Sequence, residues 1–252
     1  MPIGVITDCL SVLFGGLLGA AAGSKLDQQI SSRITVILGI ASMSIGINSI
    51  VKANAMPPVV LAVILGTFLG EILKAEERIT ALFSKVIHKL HYDRKNFEME
   101  QFITAVVLFC ASGFGIYGVM AEGMNGNYTI LLSKAVLDFC TAAVFAMTMG
   151  VIIAAIALPM TVIFLAIFLL SVLSSGMITN AMQTDFMACG GILTLAAGLR
   201  VSGIKKISIG NMIPALFFIF PVSAIWTATG LDRKSTRLNS SHSRASRMPS
   251  SA

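Results

Sequence analysis

Lys134 to Ile178 reads KAVLDFCTAAVFAMTMGVIIAAIALPMTVIFLAIFLLSVLSSGMI, and past Lys134 its one charged residue is Asp138. A helix rises about 1.5 Å per residue, so about 20 apolar residues cross the ~30 Å hydrocarbon core of a bilayer. The apolar run from Ala135 to Ile178 is about twice that length and must be divided into two crossings. Proline disrupts a helix interior, so Pro159 is the expected break, between spans at roughly 130–152 and 158–178.

Segments of the same kind flank this run, at roughly 3–23, 34–53, 57–74 and 101–121 before it and 185–203 and 208–229 after it. The expected fold class is all-α, a polytopic transmembrane helix bundle of about eight spans, or seven if 130–178 crosses once. Residues 1–229 then form a single integral membrane domain. Composition agrees, with 56% hydrophobic and 12% charged residues and a mean hydropathy of +0.86. A soluble domain carries about 25% charged residues.

Charge placement favours eight spans. Counting that way, one side of the membrane receives Lys25, Arg33, Lys74, Arg78, Lys85, Lys89, Arg94, Lys95, Arg200, Lys205 and Lys206. The other receives Lys52 and Lys134. With one span fewer the split falls to eight against five. Basic residues stay in the cytoplasm, so both termini are expected outside and the 74–100 connection inside. In that connection Ile79, Leu82, Phe83, Val86, Ile87 and Leu90 recur at helical spacing with Lys85 and Lys89 opposite. This suits an amphipathic helix on the cytoplasmic membrane surface, or one that docks a partner.

Two ends need separate treatment. No basic residue precedes the first apolar run and Asp8 interrupts it, so it reads as a retained helix rather than a signal peptide. Residues 232–252, DRKSTRLNSSHSRASRMPSSA, resemble a translated sequencing adapter and are expected to be a non-native, disordered tail. They hold five of the 18 Lys and Arg against one acid, Asp232. Without them 13 basic face 11 acidic residues, a net charge of +2 that gives no reason to expect a nucleic-acid partner.

The polar residues inside the spans carry what chemistry there is. Lys134 and Asp138 lie four apart, on one helix face. A charge at the centre of a lipid-facing helix costs about 2.5–3.5 kcal/mol on insertion scales, so both should face the bundle. The pair reads either as an ion- or proton-coupling site or as a structural lock between helices. Asp8 resembles Asp138 in having a hydroxyl three residues later (Ser11, Thr141), and it too is a candidate, or a solvated end residue. Asn211, three residues before Pro214, can expose carbonyls to a polar ligand where a helix break lines a cavity. Glu71 and Arg200 read as membrane boundaries.

Gly15, Gly19 and Gly23 lie four apart, as do Gly66 and Gly70, a spacing that lets backbones approach closely. Such Gly-rich faces suit helix packing, although a strip lining a substrate path would look the same in sequence, and they also offer a face for a homo-oligomer. GIASMSIGIN (39–48) echoes GILTLAAGLR (191–200), each with glycines seven apart, a faint hint of the inverted repeats common in transporters. The sequence contains no GxxxxGK[ST], HExxH or GxSxG and no CxxC, so no enzyme, metal or cofactor is expected.

Several stretches together resemble the YqgA/YdfK-like family of uncharacterised bacterial membrane proteins. They are Gly4 with Gly15 to Gly19, LGTFLGEIL, FCASGFGIYGVMAEGMNGN with KAVLD, and CGGILTLAAGLRVSGIKKISIGNMIPAL. Asp8 and Arg200 stand where the resemblance leads one to expect Asn. The resemblance implies a bacterial inner-membrane protein and a transport role, and supplies no mechanism. The expected function is a secondary carrier or channel for a small solute or ion, with Asp138, Lys134, Asn211 and Asp8 at its site. The alternative is a scaffold or regulator docking a partner through the 74–100 helix.

Overall fold

The computed structural model describes residues 1–23, 28–89, 99–173 and 178–229. The helices are α1 (Ile3–Gly23), α2 (Gln28–Ile50), α3 (Met56–Leu73), α4 (Ala75–Lys89), α5 (Met99–Cys110) and α6 (Gly113–Asn125). After them come α7 (Thr129–Met149), α8 (Ile152–Ala155), α9 (Ala157–Leu173), α10 (Asn180–Val201) and α11 (Ala215–Ala228), with a 3₁₀ turn at Ile209–Met212. Among the described residues there is no strand. Eight helical stretches are long and apolar enough to cross a membrane, with α5–α6, α8–α9 and the 3₁₀ turn with α11 each counting as one. Val162, Leu158 and Phe217 are at least 70% exposed. Large apolar side chains bared on a bundle's outer surface suit lipid rather than water.

The long apolar run is divided, but not where proline suggests. α7 stops at Gly150, which takes φ 83° and ψ −163°, a backbone conformation open to glycine. Pro159 instead sits in the first turn of α9, where its missing N–H removes no intrahelical bond.

Three close pairs build the bundle, and glycines set each register. α1 and α7 run parallel, with Gly15, Gly19 and Gly23 against the backbone of Phe139, Ala143 and Met147. α2 and α10 run antiparallel, with Gly39 against Gly198 and Gly46 against Gly191. The echo between residues 39–48 and 191–200 is thus two helices packing glycine to glycine, each glycine pair admitting the other's backbone. α3 and α11 follow the same rule, Gly66 on Ala215 and Gly70 on Asn211. All of these glycine faces are occupied inside the chain.

The fourth span, α5 with α6, is the most buried of the eight. It extends beyond the expected 101–121 and is broken near its middle, at Ala111–Ser112. Ser112 has an extended backbone (φ −69°, ψ 132°), and its hydroxyl accepts the Gly115 N–H at 3.2 Å, capping α6. Such a cap replaces an intrahelical bond in a place where water cannot. The break also brings Gly113 onto Gly190 of α10, where a Cβ at position 190 would collide with the Gly113 Cα. Gly190→Val is therefore expected to lower the melting temperature of the purified protein. Overpacking costs about 1–3 kcal/mol, and an unchanged melting temperature would mean the two helices are not in backbone contact.

α4 follows α3 directly, through Lys74 in the left-handed region (φ 49°). Ile79 packs on the core while Leu82 and Lys85 are exposed. Phe83, Val86, Ile87, His88 and Lys89 are in α4 without described side chains, and Leu90, His91, Arg94 and Lys95 lie outside the described residues, as does the 232–252 tail.

Candidate functional site

The register of α1 on α7 determines what meets at their common end. With Gly15 over Phe139 and Gly19 over Ala143, Asp8 falls half a turn before Lys134. Helical side chains lean toward the N-terminus, and the Lys134 stem does so across Gly115 of α6. Its Nζ donates to Asp8 Oδ2 at 3.0 Å and also to Asp138 Oδ2. The ammonium lies 5.4 Å from the centre of the Phe164 ring of α9, a cation–π distance. Lys134 does not reach outward to an interface: its side chain is 4% exposed, and those of Asp8 and Asp138 are 0% and 12%.

Two of the expected site residues thus join Asp138 in one cluster. Asp8 is no solvated end residue. The hydroxyls that seemed to mark both acids are engaged elsewhere, Ser11 donating to the Asp8 carbonyl and Thr141 to the Leu137 carbonyl. Asp8 Oδ1 is buried and has no hydrogen-bond partner among the described residues. Beside the cluster lies a crevice of about 40 Å³. Its walls include Lys134 and Asp138, Ser112 at the helix break, Ser42 of α2, Thr141 and Thr194 of α10.

Asn211 does not belong to this cluster. It lies in the 3₁₀ turn at the opposite end of the bundle, where its Oδ1 accepts the Glu76 N–H at 2.7 Å. There it satisfies a free amide in the first turn of α4. Arg200 is not a simple boundary residue either. Its guanidinium, 7% exposed, meets Glu76 at 2.8 Å and Glu100 at 3.3 Å, and donates to the Ile207 carbonyl at 3.1 Å. Glu76 also accepts the Gly210 N–H at 2.9 Å. One cation therefore ties the starts of α4 and α5 to the end of α10 and the loop after it. A cavity of about 210 Å³ opens beside this clamp, lined by Thr35, Glu100, Gln101, Thr104, Arg200, Lys205 and Lys206 with Phe145. Glu71, by contrast, is exposed.

Sequence reasoning passed over two further buried acids. Glu122 accepts the Gly4 and Val5 N–H groups at 2.7 and 3.1 Å, capping α1 from α6. Asp185 accepts the Ala55 N–H at 2.8 Å, at the start of α3, and the Ser223 hydroxyl at 2.6 Å. Each sits at or just past an expected span end, where a charge is cheap and does not stand out. The available signal was apolar residues on both sides of Glu122, in VMAEGM, and on the following side of Asp185, in MQTDFM.

Residues 3–224 match the family described as "Protein of unknown function (DUF554)". The chain belongs to this family. It is 41% identical over 232 residues to "Uncharacterized protein YqgA" of Escherichia coli (strain K12), covering 90% of this chain and 99% of that one. It is 29% identical over 232 residues to "Uncharacterized membrane protein YdfK" of Bacillus subtilis (strain 168), covering 90% and 98%. No solved structure matches. This DUF554 member is a multi-pass membrane protein, since one relative is named a membrane protein and eight apolar helices are long enough to cross. The whole charge cluster, Asp8 to Asp138, falls within the DUF554 match.

Proposed function

We propose that this protein is a secondary carrier or channel moving a small solute or ion across the bacterial inner membrane. Asp8, Lys134 and Asp138 are the polar site on its path. The observation that carries the reading is three buried charges gathered beside the interruption in the most buried span. A structural lock needs one acid and one base; here there is a second acid. Helices interrupted near mid-membrane are a common way for transporters to offer backbone groups to a solute. The sequence has no phosphate-cradling motif, which favours a gradient over ATP as the energy source. The bias of Lys and Arg toward the connections after α1, α3 and α10 supports termini outside and α4 in the cytoplasm.

The test is flux in vesicles reconstituted with the protein, over a panel of ions and small solutes driven by imposed proton and sodium gradients. Wild type is expected to move at least one of them, and Asp138→Asn to fall to the protein-free background. Flux of the same size in Asp138→Asn would remove the cluster from the path. No wild-type flux across the panel would remove the transport reading itself.

A further inference from the structure

Two carboxylates and one ammonium leave the buried cluster one positive charge short. Burying an unpaired charge is expensive, and the shortfall has a visible location, because Asp8 Oδ1 is the acceptor without a partner among the described residues. A crevice of about 40 Å³ opens on the Lys134 and Asp138 side of the same cluster, and its size limits what can enter there. A water molecule takes about 30 Å³ in the liquid, whereas pockets for organic ligands run to about 300–1,000 Å³. Anything the crevice admits is therefore water-sized. Around the crevice stand hydroxyls of Ser42, Ser112 and Thr141. Ending α5 at Cys110 leaves carbonyls of its last turn past Val107, whose own carbonyl accepts the Ala111 N–H at 2.8 Å, without intrahelical partners. Hydroxyl, carbonyl and carboxylate oxygens are ligands for a hard cation.

We propose that the cluster takes up one monovalent cation per chain, a proton or a small alkali ion, at Asp8 and Asp138. Lys134 acts as the permanent internal cation that keeps the demand at one. That this ion is the one coupled to transport rests on the reading above; the binding itself does not. The other titratable side chains near the cluster, among the described residues, are Cys9 on α1 and Cys110 on α5. Glu122 of α6 lies about a turn away, at the start of α1. The facing positions of α9 and α10 are Phe164 and Thr194.

Binding is measured on the detergent-purified full chain, with no gradient. Melting temperatures are taken in lithium, sodium and potassium chloride against choline chloride at equal ionic strength. Proton uptake per chain is counted between about pH 8 and pH 5, the range below the ordinary thiol and above the ordinary carboxylate values. An alkali ion is expected to raise the melting temperature saturably and to release a proton on addition, both effects disappearing in Asp8→Asn and Asp138→Asn. A proton site instead gives no salt preference, and one proton fewer is taken up in those variants than in wild type. Cys9→Ser and Cys110→Ser should keep the wild-type count. Wild type showing neither ion stabilisation nor proton uptake beyond that of its three histidines and amino terminus, which titrate in the same range, overturns the proposal, even if the Asn variants do not fold. Should they not fold, Asp8→Glu and Asp138→Glu, which keep the charge and move it, must shift the ion preference or the uptake midpoint. Unshifted Glu variants would assign the binding elsewhere. Binding without vesicle flux sinks the transport reading and leaves the site; flux without binding does the reverse.

Discussion

Lys134→Met should be the most damaging single substitution in the bundle, because it strands Asp8 and Asp138 face to face with no cation. Removing one partner of a buried ion pair costs about 3–5 kcal/mol, a large share of the about 5–15 kcal/mol that holds a domain folded. The melting temperature in detergent should fall accordingly. Adding Asp8→Asn and Asp138→Asn to Lys134→Met should recover much of it, since an uncharged trio has no uncompensated charge to bury. Recovery of stability without recovery of flux would separate the two roles of the cluster. If Lys134→Met melts like wild type, the ammonium is not buried between the two acids.

Arg200→Met is the second large effect, at the other end of the molecule. It leaves Glu76 and Glu100 without the guanidinium that joins them, and releases the Ile207 carbonyl. Glu76 is 17% exposed and Glu100 52%, so water shields part of the loss. About 2–3 kcal/mol is expected, at or just below the bottom of the range for a broken buried pair. The damage should be local. Protease sites in α4 and in 203–212 should open in Arg200→Met well before the spans melt, whereas in Lys134→Met they should stay protected until global unfolding. Lys206, 3.5 Å from Glu100 but 88% exposed, should contribute little, and Lys206→Met serves as the control.

These two clusters also measure how far the amino-acid sequence reaches. The crossing segments were legible from hydropathy alone, because the bilayer demands about 20 apolar residues per helix wherever it is crossed. Lys134 and Asp138 were legible as a pair, because four residues on a helix is a local distance. The inward direction of both followed from the cost of charge in lipid. The structural use of Gly15, Gly19 and Gly23 was legible for the same local reason, a stripe on one face.

Partners on other helices were not. Asp8 lies 126 residues from Lys134 and Asn211 lies 135 from Glu76, and no local rule ranks Asp8 above Asn211 as a companion for Asp138. The glycine register of α1 on α7 ranks them, because sliding that pair by one turn would carry Asp8 away from the ammonium. The break in α5–α6 was hidden for a related reason. Ser-Gly-Phe-Gly (112–115) is compatible with a continuous span, and only α10, whose Gly190 admits the Gly113 backbone, makes a bend there favourable. Gly150 rather than Pro159 ends α7 because proline is harmless in a first turn, and which residue is the first turn depends on the packing around it. Segment composition and local spacing determine that this chain crosses a membrane, where it crosses, and which residues cannot face lipid. Which buried charge meets which was decided by interhelical register, a property of backbone contacts between distant segments.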